Sequence, residues 1–137
     1  ISSGFRMAEK LALLAQGVED LPALSALLQD ATLRRPDLVW DARRRRLVLM
    51  LGRYAWEAAT PARMRSALRI ESVLRLQRLA WPDDPETVLA LLSLTFEDGW
   101  LRLDFSGGPA LRAQVEAVDV VLEDLSGPFP TARVPAH

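Results

Sequence analysis

Between Val88 and Ala117, three successive runs carry an apolar residue at every second position, and the links between the runs are too short to hold a helix. Val88, Ala90, Leu92, Leu94 and Phe96 share one parity. Leu101, Leu103 and Phe105 alternate with Arg102 and Asp104, and Leu111, Ala113, Val115 and Ala117 alternate with Arg112, Gln114 and Glu116. Period-two alternation puts one set of side chains on a buried face and the other in solvent, which is the pattern of a half-buried strand. Asp98-Gly99 separates the first two runs and Gly107-Gly108-Pro109 the last two. Asp-Gly favours the left-handed backbone of a two-residue hairpin turn. Strands joined so closely pair antiparallel, because a parallel neighbour needs a long crossover.

The remaining segments extend this sheet. Leu11, Leu13 and Leu14 predict a first strand, broken at Gly17. Asp20 before Leu21-Pro22 is a helix start, and Leu21, Leu24, Leu27 and Leu28 recur at helical spacing, predicting an amphipathic helix over 20–30. Leu38 and Trp40 share a face, and Asp41 opens a turn. Leu47, Leu49 and Leu51 alternate with Val48 and Met50, so both faces are apolar; this predicts a central strand covered on both sides. Leu68, Ile70, Leu74 and Leu76 against Arg69, Glu71, Arg75 and Gln77 predict one continuous strand. Asp83 to Glu86 reads as a capped helical turn. At the end the period becomes helical again, with Val118, Val121, Leu122 and Leu125, until Gly127-Pro128. The expected class is therefore α+β: a mostly antiparallel, curved sheet of about seven strands, a helix after the first strand and a C-terminal helix. That layout resembles a pleckstrin-homology-like split barrel. Residues 1–7 are expected to be a remnant and the domain start, 8–126 a single domain, and 127–137 a Pro-containing extended tail.

Composition removes most catalytic chemistry. The chain has no Cys and one His, His137, so thiolate nucleophiles, disulfides, histidine bases and His/Cys metal cages lack material. The carboxylate pairs Asp83-Asp84, Glu97-Asp98 and Glu123-Asp124 read as a cap, a turn and a helix face. A hard-cation site at Asp83, Asp84 and Glu86 competes with the same cap. Gly107-Gly108 lacks the following helix and Lys of a phosphate loop. No enzyme, catalytic residue, cofactor or metal is expected. No apolar run reaches the roughly 18 residues of a membrane span, so a cytoplasmic protein with no membrane partner is expected.

Four segments carry a resemblance: VEDLPALSALLQDA (Val18 to Ala31), GRYAWE (Gly52 to Glu57), LRIESVL (Leu68 to Leu74) and GGPALRAQVEAVDVVLEDL (Gly107 to Leu125). In this order they resemble the family catalogued as domain of unknown function 2948, over roughly Leu11 to Leu125. The resemblance implies a small bacterial cytoplasmic protein and supplies no activity, cofactor or functional residue.

Charge is the remaining signal. There are 16 Arg and one Lys. From Arg34 to Arg78, 12 Arg face four acids; from Asp83 to Leu125, ten acids face two Arg. The net charge of −1 conceals this split. Two arrangements account for it: basic and acidic strands paired across one sheet, or a basic surface offered to a partner. The candidate binding surface is Arg43, Arg44, Arg45, Arg46 and Arg53 with Trp40, Trp56 and Trp100. Together these predict a non-enzymatic binding or scaffold domain whose partner is a protein or another copy of itself. The alternative is an RNA- or polyanion-binding module using the Arg-rich segment 34–78, since Arg grips phosphate bidentately and aromatic rings stack on bases. No nucleic-acid motif accompanies it.

Overall fold

The computed structural model describes residues 12–54 and 62–130. Among them are ten strands: β1 (Ala12–Ala15), β2 (Thr32–Arg34), β3 (Leu38–Asp41), β4 (Arg46–Tyr54), β5 (Ala62–Ile70), β6 (Val73–Leu79), β7 (Val88–Glu97), β8 (Trp100–Phe105), β9 (Ala110–Val115) and β10 (Val120–Pro130). One α-helix, α1 (Leu21–Leu28), follows β1. The strands run in the order β1-β10-β5-β4-β2-β7-β8-β9-β6, with β3 paired to β4, and every pairing is antiparallel.

This corrects the expected α+β layout of about seven strands closed by a C-terminal helix. The segment Val118–Leu125, predicted as helix, is instead a two-residue link followed from Val120 by the start of β10, inserted between β1 and β5. Val118, Val120, Leu122 and Asp124 are buried, while Glu123 and Leu125 are exposed. The inward set has period two, but it ends in a carboxylate, and that acid hides the alternation. Three Val in four positions favour extended backbone once a neighbouring strand is present. β10 continues to Pro130 along β5, with register shifts between Asp124 and Ser126 and between Ser126 and Phe129. Pro128 lies within the second shift, where the ladder is already interrupted and a missing N–H costs least.

The other differences are local. The single strand expected through Leu68–Gln77 is broken at Ser72, whose φ is +57°. That left-handed residue ends β5 and starts β6 with reversed parity. Leu68, Ile70 and Val73 are buried, whereas Leu74 is 47% exposed. In β7 a register shift between Leu91 and Ser93 leaves Leu92 out of the ladder. The buried set therefore passes from Leu89 and Leu91 to Leu94, and Leu92 faces outward. Asp98 and Gly99 both have positive φ, at +51° and +86°, the mirror-image hairpin turn their sequence predicts. Asp83–Glu86 forms no capped helix: the Glu86 N–H donates to Asp84 Oδ1 at 2.9 Å, closing a side-chain turn.

The core lies on the inward parity of the sheet. Leu47, Leu49 and Leu51 of β4, Leu68 and Ile70 of β5, Leu101, Leu103 and Phe105 of β8, and Leu111 and Ala113 of β9 are all buried there. Helix α1 adds Leu21, Leu24 and Leu28. It is tied to β7 by the Leu94 N–H donating to Ser25 Oγ at 3.1 Å. No helix among the described residues is long and apolar enough to cross a membrane.

Candidate functional site

The Arg-rich segment is the turn between β3 and β4. Asp41 pairs with Arg46 across the hairpin, and Arg45 takes the left-handed conformation at φ +55°. Asp41 Oδ1 accepts the Arg44 N–H at 3.1 Å, so the acid that precedes the turn also shapes it. Arg43, Arg44 and Arg45 are exposed and Arg46 is half-buried. Three of the four already face carboxylates: Arg44 faces Asp41 at 3.9 Å, Arg45 faces Glu116 at 2.9 Å and Arg46 faces Glu71 at 3.0 Å. Arg43 has no ionic partner among the described residues. Arg34 reaches Glu86 at 3.1 Å, and Arg35 Nη1 donates to the Asp83 carbonyl at 2.6 Å. The basic and acidic stretches of sequence thus meet in space and partly neutralise each other. Exposed pairs of this kind contribute about 0–1 kcal/mol each. Replacing Arg44 and Arg45 together by Ser is therefore expected to change unfolding free energy in urea by under about 1 kcal/mol.

The other predicted surface residues separate. Arg53 is fully buried, a correction to its place on a binding surface. Its Nε and Nη2 donate to Asp124 Oδ1 and Oδ2 at 2.9 and 2.8 Å, and Ser66 Oγ donates to Asp124 Oδ1 at 2.6 Å. These residues sit on the inward faces of β4, β5 and β10, beyond Leu51, Leu68 and Leu122. The sheet's core face thus ends in a polar clamp. Trp40 is half-buried against the core. Trp100 lies under the Arg112 guanidinium, 4.3 Å from its ring centroid, far along the chain from the Arg-rich turn. Trp56 lies outside the described residues. No cluster of Arg and aromatic rings forms from the predicted set among the described residues.

What the fold does assemble is the outer face of β1, β10, β5, β4 and β3. One cross-strand row runs Leu14–Val121–Arg69–Val48–Val39, read directly from the strand registers. The next runs Ala12–Glu123–Ala67–Met50. Leu14 and Val39 are 50% and 52% exposed, and Val48, Met50 and Val121 are half-buried. The sequence contained part of this signal, because Val48 and Met50 make the second face of β4 apolar. The second layer that this apolarity predicts is not present among the described residues. Arg69 crosses the row and is held at 2.6 Å by Glu71.

At one end of this face lies a hollow of about 220 Å³, lined by Thr32, Arg34, Asp37, Met50, Gly52 and Arg65, among others. Gly52 pairs with Thr32 on one side and Arg65 on the other. Arg65 is exposed, with no carboxylate partner among the described residues. Thr32 did not enter the predicted site, and Arg65 entered only as one of the arginines of segment 34–78. Their relation to Gly52 depends on pairings that no local pattern encodes.

Comparison with known proteins places the chain by family alone. No curated protein and no solved structure matches it. The family model described as protein of unknown function (DUF2948) matches residues 11–137, reaching beyond the Leu125 limit of the resembling segments to the chain end. The antiparallel sheet, its polar clamp and its apolar outer face are therefore features of a chain that belongs to the DUF2948 family.

Proposed function

We propose that this chain is a non-enzymatic, cytoplasmic protein-binding domain whose binding surface is the outer face of β3-β4-β5-β10-β1. The observation that carries this reading is the row Leu14–Val121–Arg69–Val48–Val39, apolar at four of five positions and open to solvent at both ends. Contiguous exposed apolar surface crossed by charge is the usual make-up of a protein interface. Five strands at about 4.8 Å spacing set β1 and β3 roughly 19 Å apart, so with the strand length this face can offer a patch of the order of a standard interface, about 800 Å² per side. The polyanion alternative has weaker support, since Arg44, Arg45 and Arg46 each face a carboxylate.

The test is a photo-crosslinking residue at Val39, activated in nuclease-treated native extract. A discrete protein adduct is expected, and Val48→Asp, which puts a charge in the middle of the row, should abolish it while leaving the unfolding free energy in urea within about 1 kcal/mol of wild type. An adduct at twice the chain mass identifies a second copy as the partner. No adduct, or one indifferent to Val48→Asp, overturns the reading.

A further inference from the structure

Resting on the protein-binding reading above, we propose that the hollow over Gly52 is the subsite that receives an acidic side chain of the protein partner. Its first support is the glycine itself. Gly52 lies inside a strand and its φ is not in the left-handed range. A Cβ there would come no closer than 3.6 Å to Thr32 Oγ1 and 4.0 Å to Arg63 Nη1, ordinary contact distances. Neither backbone conformation nor crowding demands glycine, yet glycine in a strand is destabilising relative to alanine because it loses more backbone freedom on folding. What the missing side chain does is leave the floor of the hollow open.

The second support is the charge around that floor. Arg65, directly across the ladder from Gly52, is exposed and has no carboxylate within the described residues. Arg63 Nη1 donates to the Gly52 carbonyl at 3.1 Å, bringing a second guanidinium to the same backbone. Thr32 offers a hydroxyl from the other flank. The acid in the lining, Asp37, already accepts the Arg34 N–H at 2.9 Å. A carboxylate suits this arrangement: it can take two parallel N–H donors from Arg65 and a hydroxyl from Thr32. A phosphate dianion would meet stronger repulsion from Asp37.

The third support is continuity. Met50 belongs to the apolar rows and also lines the hollow. The ligand is therefore an Asp or Glu side chain on a protein segment whose neighbouring apolar side chains lie on Met50, Val48 and Val121.

The probe is N-acetylglutamate α-amide, titrated into the 15N-labelled full chain with chloride at equal ionic strength as control and inorganic phosphate as competitor. Saturable shifts are expected at the Thr32, Gly52 and Arg65 amides. Arg65→Gln, an exposed change that spares the fold, should weaken this binding at least about tenfold, the loss of one charge-assisted bidentate contact. Gly52→Val should abolish it by filling the floor. Shifts matched by chloride, undiminished in Arg65→Gln, or displaced by phosphate at lower concentration overturn the proposal. The Val39 crosslink separates the two readings. An adduct that persists undiminished in Arg65→Gln overturns the acidic subsite and leaves the binding face standing. No adduct in the wild type overturns both.

Discussion

Asp124→Ala is expected to destabilise the domain by about 3–5 kcal/mol, seen as a lower urea midpoint at unchanged slope. Asp124 supplies both oxygens of a bidentate pair to Arg53, and both side chains are wholly shielded from water. Removing it takes the bidentate partner from a buried guanidinium and strips Ser66 Oγ of its acceptor. A buried charge deprived of its partner is far costlier than the intact pair is stabilising. The double replacement Arg53→Met with Asp124→Leu should therefore lose less than Asp124→Ala alone, because it removes the charges together. A loss under about 1 kcal/mol for Asp124→Ala would show that the clamp does not hold β10 to β4.

Ile70→Ala is expected to cost about 2–5 kcal/mol, and Leu74→Ala under about 1 kcal/mol. By period-two spacing alone the two residues are equivalent. In the structure Ile70 is fully buried and Leu74 is 47% exposed, because the left-handed Ser72 lies between them. Chemical denaturation of the two variants, with Val73→Ala as a third, tests the reversal. Val73 is fully buried and should behave like Ile70. Equal losses at Ile70 and Leu74 would restore one uninterrupted strand and remove the corner between β5 and β6.

These two sites show where local pattern and tertiary structure part. The antiparallel runs around Asp98-Gly99, the burial of Leu101, Leu103 and Phe105, and the helix at Leu21–Leu28 were legible in the sequence. Each is set within a few residues by side-chain period and turn backbone, which act on the chain locally. The C-terminal strand was not legible. Its inward positions Val120, Leu122 and Asp124 include an acid, and an acid reads as solvent-facing until its partner is known. That partner, Arg53, lies 71 residues away, on a strand separated from β10 by β5. Helical spacing fits Val118, Val121, Leu122 and Leu125 equally well, and only the neighbouring β1 and β5 ladders decide for strand.

The candidate site divides in the same way. Residue type and spacing alone establish that charge is segregated, that β4 has two apolar faces and that a turn carries Arg43, Arg44 and Arg45. Tertiary structure decided which of those charges are spent on one another: Arg45 on Glu116, Arg34 on Glu86 and Arg53 on Asp124. It also decided that Arg65, one of twelve arginines between Arg34 and Arg78, stands beside Gly52 and Thr32 at the edge of an apolar face. The physical reason is that residue type fixes a side chain's charge and its preference for water, whereas the partner that satisfies it is chosen by strand order and register, and these join positions far apart in the chain.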